Sequence, residues 1–263
     1  MQNEKSEYTL QDENALFSLA VISVLGDRDE QQDRAGYELK DREGLAVVCD
    51  GMGGHAGGRT ASTLAMLQFL TGYLKENSCE DMHSLLMDMA ADADKAVSCL
   101  KDEEGNKLGA GSTVSAVFIR EDSLYWLSVG DSRIYLYRDG EMICVTTDHV
   151  YKNVLQYQLE AGEIDEEAYE SGIENGEALV SFLGVNGLPF IDANEKPLHL
   201  KSGDRIILAT DGLYKLVPEE GIKNIVMNFG NIGEALKALE QKAKQCAKGA
   251  SRDNMTACLI KIK

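Results

Sequence analysis

The sequence predicts an α+β fold in which antiparallel sheets are layered against helices. Three observations carry this. Short apolar, β-branched runs come in clusters, the clusters are separated by pairs of long amphipathic segments, and strict strand–helix alternation is absent. A doubly wound parallel sheet needs that alternation. With 263 residues and 44% hydrophobic content, the chain has ample apolar material for a core.

The elements follow in order. Residues 1–14 are polar and acidic and read as a flexible tail, with one domain expected over 15–263. Strand-like runs at 16–24, 36–40 and 44–50 precede a glycine-rich turn over 51–58. Two helices come next. In 59–76, Leu64, Leu67, Phe69, Leu70, Tyr73 and Leu74 recur near the helical period, as Leu85, Leu86, Met89, Ala93, Val97 and Leu100 do in 80–103. Strands resume at 112–119, 123–129 and 132–138, and Asp139-Gly140 is a hairpin turn into 141–146. Residues 149–184 break the pattern. They are acidic and loosely periodic, with five acids among residues 163–170, and are expected to form an exposed flap. Strands near 188–192, 197–200 and 204–210, helices at 219–228 and 232–248, and a closing strand at 254–262 complete the chain.

Composition narrows the function. The balance of 26 basic against 44 acidic residues gives a net charge of −18, which repels nucleic acid and anionic lipid. Six cysteines lie far apart without a CxxC pair, so reduced thiols are expected rather than zinc or a redox dithiol. The polar, acidic N-terminus does not read as a signal peptide, and no apolar run approaches the ~20 residues of a membrane span. A cytoplasmic protein is expected.

The most informative residues are acids. Asp50-Gly51 and Asp211-Gly212 each close an apolar, β-branched run, at 45–49 and 205–210, and Asp33, Asp131 and Asp253 add further carboxylates. Buried carboxylates repel one another and resist desolvation unless cations hold them together. A site for two hard divalent ions with oxygen ligands is therefore expected.

Seven segments occur in order: residues 28–34 (RDEQQDR), 47–58 (VVCDGMGGHAGG), 111–113 (GST), 129–133 (VGDSR), 147–149 (TDH), 209–213 (ATDGL) and 253–256 (DNMT). Together they resemble the metal-dependent Ser/Thr protein phosphatases of the type 2C family in their compact bacterial form, over roughly residues 16–262. The resemblance implies a four-layer α-β-β-α sandwich, two antiparallel sheets flanked by helical pairs. It implies that Asp50 bridges two Mn²⁺ or Mg²⁺ ions, that the Gly51 carbonyl binds one, and that Asp211 and Asp253 hold the other. Asp33 is expected to steady the site through metal-bound water, Gln32 to bind such water weakly, and Asn254 to support Asp253. A water between the metals then attacks phosphorus in line, without a phospho-enzyme.

Arg28 is expected to grip the phosphate with its planar fork; the other reading is a surface salt bridge with Asp29 or Glu30. His55 lies in the glycine-rich turn, where a proton-relay role is open, whereas His149 reads as structural. The chain also departs from its relatives. Met52 stands where many carry histidine. Lys215 stands where many carry an Asp that helps Asp131 bind a third metal, so that metal is expected to be weak or absent. The expected partners are phosphorylated proteins, substrates of Ser/Thr kinases. The alternative reading is a non-catalytic pseudophosphatase that docks phosphoproteins or regulators.

Overall fold

The computed structural model describes residues 8–54, 57–76 and 81–263. Its elements are β1 (Tyr8–Glu13), β2 (Phe17–Val24), β3 (Arg34–Lys40), β4 (Glu43–Cys49), β5 (Gly51–Met52), α1 (Gly57–Lys75), α2 (Met82–Ser98), β6 (Gly111–Ser112), β7 (Val114–Arg120), β8 (Ser123–Val129), β9 (Arg133–Arg138) and β10 (Glu141–Cys144). There follow α3 (Tyr151–Glu160), α4 (Glu166–Gly172), β11 (Asp192–Ala193), β12 (Leu198–His199), β13 (Arg205–Ala209), α5 (Asp211–Tyr214), α6 (Glu219–Asn228), α7 (Ile232–Ala247) and β14 (Met255–Ile262).

Two antiparallel sheets form the middle layers. One runs β1-β2-β14-β13-β9-β10, and the other runs β11-β8-β7-β4-β3. Alternation along each strand divides the apolar side chains between two faces. Leu19 and Val21 of β2, Val117 and Ile119 of β7, and Ile206 and Leu208 of β13 meet between the sheets. The opposite face of the second sheet buries Leu45, Val47 and Ala116 against Phe69 and Tyr73 of α1 and Leu86 and Met89 of α2. The opposite face of the first buries Ile207 and Leu259 against Ile222 of α6 and Leu236 and Leu239 of α7. This is the expected four-layer sandwich.

Local chemistry sets the element ends. Asp81, Asp165 and Asn231 cap α2, α4 and α7 by accepting the amides of Ser84, Ala168 and Glu234. Asp139 and Gly140 both take positive φ, 53° and 89°, which joins β9 to β10 as expected.

One expectation is corrected. The tail expected over 1–14 is not free at Tyr8–Glu13, which pairs antiparallel with β2 through six residues as an edge strand. Its side chains are mostly exposed, so backbone hydrogen bonds rather than apolar burial hold it, and a polar sequence hides such a strand. Residues 1–7 lie outside the described residues. The segment 149–184 exposes all five acids of residues 163–170. It holds α3, α4 and a 3₁₀ turn at Ile173–Asn175, with Val150 bridged to Leu179.

Candidate functional site

The expected site residues gather where strands of both sheets end. Asp50 leaves β4 with its backbone clamped: its amide donates to Thr113 Oγ1 at 2.9 Å, and its carbonyl accepts from Thr113 N at 2.8 Å and Ser112 Oγ at 3.1 Å. Gly51 pairs with Ser112 in the short β5–β6 ribbon. The glycine is required by packing rather than by turn geometry, because a Cβ at Gly51 would collide with the Gly58 carbonyl at the start of α1. Likewise a Cβ at Gly212 would collide with the Asn254 carbonyl, so the second Asp-Gly pair lets α5 press against the start of β14.

Asp33 is buried just before β3, and its Oδ2 accepts from Thr210 Oγ1 at 2.9 Å. Burial pushes its carboxyl up to about 7, opposed by hydroxyls of Thr210 and Thr256 and aided by the charges of Asp211 and Asp253. Asp50 is pushed well up by burial and then by the charges of Asp33, Asp211, Asp131 and Asp253. Asp131 is raised by burial and by Asp211. Burial and the charges of neighbouring acids thus disfavour ionisation of Asp33, Asp50 and Asp131.

Cations of the chain meet three of the acids. Arg28 Nη2 lies 2.6 Å from Asp253 Oδ2, so its partner is neither Asp29 nor Glu30. Lys215 Nζ lies 2.8 Å from Asp211 Oδ2, 3.7 Å from Asp131 Oδ2 and 3.9 Å from Glu177 Oε2. The i,i+4 contact is the one expected of a helical turn starting at Asp211, and α5 provides that turn. Among the described residues no three acids stand close enough to enclose an ion as they are. The donor set nevertheless fits hard divalent cations: its side chains offer oxygen only, and buried like charges gain most from a shared positive ion.

The supporting residues have mixed placements. Asn254 accepts the Gln32 amide at 2.7 Å and donates to the Leu25 carbonyl at 2.8 Å, while its own amide donates to Asp253 Oδ1 at 2.8 Å. That carboxylate is therefore oriented by its neighbour's backbone. Gln32 turns its side-chain amide to Glu30 and to the Gly53 carbonyl. His55 lies outside the described residues. His149 is structural, with Nδ1 accepting the Gly130 amide at 3.1 Å and its own amide donating to the Gly130 carbonyl at 2.9 Å. This anchors the residue before Asp131.

Sequence reading missed several groups. Thr113, Ser112 and Thr210 orient the acids; Thr210 stands beside Asp211 at an apolar strand end, whereas Ser112 and Thr113 have no acid next to them in the sequence. Tyr214 donates to the Asp131 carbonyl at 2.9 Å. Asp94, buried on α2, accepts the amides of Gly184, Asn186 and Gly187 at 2.7, 3.1 and 2.6 Å. Those amides follow Leu183, whose backbone pairs with Ser112 in both directions. A buried carboxylate thus tethers the ribbon that carries Gly51. Its signal was an acid on the apolar stripe shared by Ala90 and Val97.

Comparison with known proteins agrees with this geometry. The family model described as Protein phosphatase 2C matches residues 24–245. A serine/threonine phosphatase stp of Listeria innocua is 29% identical over 239 residues, covering 89% of this chain and 90% of its own. The crystal structure of the Mycobacterium tuberculosis serine/threonine phosphatase PstP/Ppp superposes with a TM-score of 0.75 at 25% identity, over 94% of this chain and 99% of that one. The catalytic domain of PstP in complex with two manganese ions gives 0.73 at 25% identity, over 94% and 98%.

Proposed function

Because the chain belongs to the protein phosphatase 2C family, we propose that it is a metal-dependent phosphoprotein phosphatase that hydrolyses phosphoserine and phosphothreonine. The observation that carries the reading is the cluster of acids at the strand ends, with Asp33, Asp50 and Asp131 pushed toward protonation first by burial and then by neighbouring acids, Asp211 among them in every case. A docking scaffold gains nothing from keeping such a cluster, which favours catalysis over the pseudophosphatase reading.

Asp50, the Gly51 carbonyl, Asp211 and Asp253 are the residues that would hold two Mn²⁺ or Mg²⁺ ions, with Asp131 facing Lys215 at the edge. When bound, such a pair supplies Lewis acidity, an activated water and a template for in-line displacement at phosphorus. The chain's own residues do the rest. Thr113 and Ser112 hold the Asp50 backbone from both sides, so its carboxylate is aimed before any ligand arrives. Asp33, hydrogen-bonded to Thr210 and excluded from solvent, is placed to accept or hold a proton beneath the other acids. Arg28 sits at the exposed rim, where releasing Asp253 frees its fork for two phosphate oxygens.

Its substrates are phosphoproteins, in this reading the products of Ser/Thr kinases in the cytoplasm. Among the described residues no helix is long and apolar enough to cross a membrane. The test is phosphate release from a phosphothreonine peptide with Mn²⁺, with chelator, and with Asp50→Asn. Release is expected only for the wild type with metal. Binding of the peptide without release under any of these conditions would restore the pseudophosphatase reading.

A further inference from the structure

An apolar pocket of about 190 Å³ opens beside α3, walled by Val154 and Tyr157 of that helix, by Val180, by Phe190 and by the backbone strip Asp148–His149. Two of its walls are large exposed aromatics: Tyr157 is 69% and Phe190 47% accessible. Exposed aromatics around a concavity are where binding energy concentrates in protein recognition.

The pocket is built in advance. Phe190 is held by Ser181, whose buried hydroxyl donates to the Phe190 carbonyl at 2.6 Å and accepts its amide at 3.2 Å. Its ring lies 6.0 Å from that of His149, which anchors the Gly130 turn. On the opposite side, the Asn153 side chain donates to the Asp148 carbonyl at 2.6 Å, fixing α3 to the same strip.

Its position links it to the acidic site. Asp148 is shared with a neighbouring cleft of about 460 Å³ that also includes Arg133, Lys152, Glu177, Tyr214 and Lys215. Lys215 bonds Asp211, and Tyr214 bonds the Asp131 carbonyl. A chain lying along that cleft from the strand-end acids therefore reaches the pocket. In that cleft Arg133 is paired with Asp148, Lys152 with Glu177 and Lys215 with Asp211, and beyond those pairs residues 149–184 are acidic, with eight acids and one lysine in all. The acids of residues 163–170 are all exposed.

The geometry points to the occupant: one apolar side chain of the phosphoprotein substrate, a few residues from the phosphorylated one, within a segment rich in lysine or arginine. The apolar side chain fills the pocket between Tyr157 and Phe190, and the acidic flap attracts the basic residues around it. Tyr157 and Phe190 are thus specificity residues, and they touch neither the phosphate nor the strand-end acids. This inference rests on the phosphatase reading and adds a substrate class to it.

The test uses phosphothreonine peptides with basic flanks, in which leucine or alanine is placed in turn at each of the four positions on either side. Wild type with Mn²⁺ is expected to prefer leucine in one register by about tenfold in kcat/KM, the size of effect that burying one aliphatic side chain produces. In Tyr157→Ala and Phe190→Ala that preference should shrink to threefold or less, and Tyr157→Phe should keep it. All three variants should hydrolyse a small aryl phosphate as wild type does. A wild type with no preferred register, or a preference that survives in both alanine variants, overturns the inference. So does a wild-type dimer, seen by sedimentation, that Tyr157→Ala dissolves without any change in register preference; a second copy then owns the pocket. If wild type does not hydrolyse the aryl phosphate, the phosphatase reading fails. Calorimetric binding of the leucine and alanine peptides then decides the pocket alone, with equal binding overturning it.

Discussion

Lys215→Met should have opposite effects on folding and on metal binding. The ammonium sits 2.8 Å from Asp211 Oδ2, with Asp131 and Glu177 at 3.7 and 3.9 Å. Its side chain is 43% exposed, so solvent screening reduces the two longer contacts to well under ~1 kcal/mol each. The short, charge-assisted bond carries most of the interaction, about 1.5–3 kcal/mol. Burial alone would lower the lysine pKa, but the Asp211 hydrogen bond and the three carboxylates outweigh it, so the group stays charged at neutral pH. Methionine keeps the aliphatic stem and removes the charge. In chelator, the variant should lose roughly 1.5–3 kcal/mol of stability, since Asp211 is left unpaired beside other carboxylates. With Mn²⁺ the sign reverses. An ion that takes Asp211 no longer has to displace an ammonium, and its dissociation constant should fall roughly tenfold to hundredfold. Urea unfolding in chelator and calorimetric titration of Mn²⁺ measure the two arms. An affinity that is unchanged or weaker in Lys215→Met would refute the competition argument and place the lysine outside the metal's reach.

Three further outcomes are expected. Asp33 has a folded pKa of about 7 against an ordinary value of 3.8, so the folded metal-free protein holds the extra proton. The resulting stability is fully present below about pH 4 and lost as pH rises to 7, at about 1.4 kcal/mol per pH unit; a flat urea-denaturation profile across this window in chelator would refute it. Arg28→Ala should lower kcat/KM for an aryl phosphate in saturating Mn²⁺ by roughly tenfold to hundredfold, from loss of a charge-assisted contact of about 1.5–3 kcal/mol. An unchanged kcat/KM would leave Arg28 as only the partner of Asp253. Asp94→Asn should loosen the loop at Gly184–Gly187 and weaken Mn²⁺ binding several-fold through Ser112 and Gly51, with kcat recovered at saturating metal; unaltered exchange of the Leu183 and Ser112 amides would refute the tether.

Where local chemistry suffices, the chain's own order determines the structure. The strand and helix periods assign nearly every element to its layer, because burial on one face leaves its imprint at every second or every third to fourth position. The paired Asp-Gly strand ends mark the site for the same reason, since a carboxylate closing an apolar run is costly without a partner. Lys215 on Asp211 was also legible, because an i,i+4 contact needs only a helical turn. Tertiary structure decided the rest. Tyr8–Glu13 becomes a strand only because β2 offers an open edge to its backbone, which leaves no mark on the side chains. Within 149–184, Tyr151–Glu160 and Glu166–Gly172 are helical despite the segment's weak apolar period. Arg28 meets Asp253 across 225 positions, a contact set by the closure of the sheet and not by either residue's neighbours. Asp94 stands out in the sequence only as an acid on an apolar stripe; folding brings it the three backbone amides, and the packed α2 face supplies the burial that makes those hydrogen bonds matter.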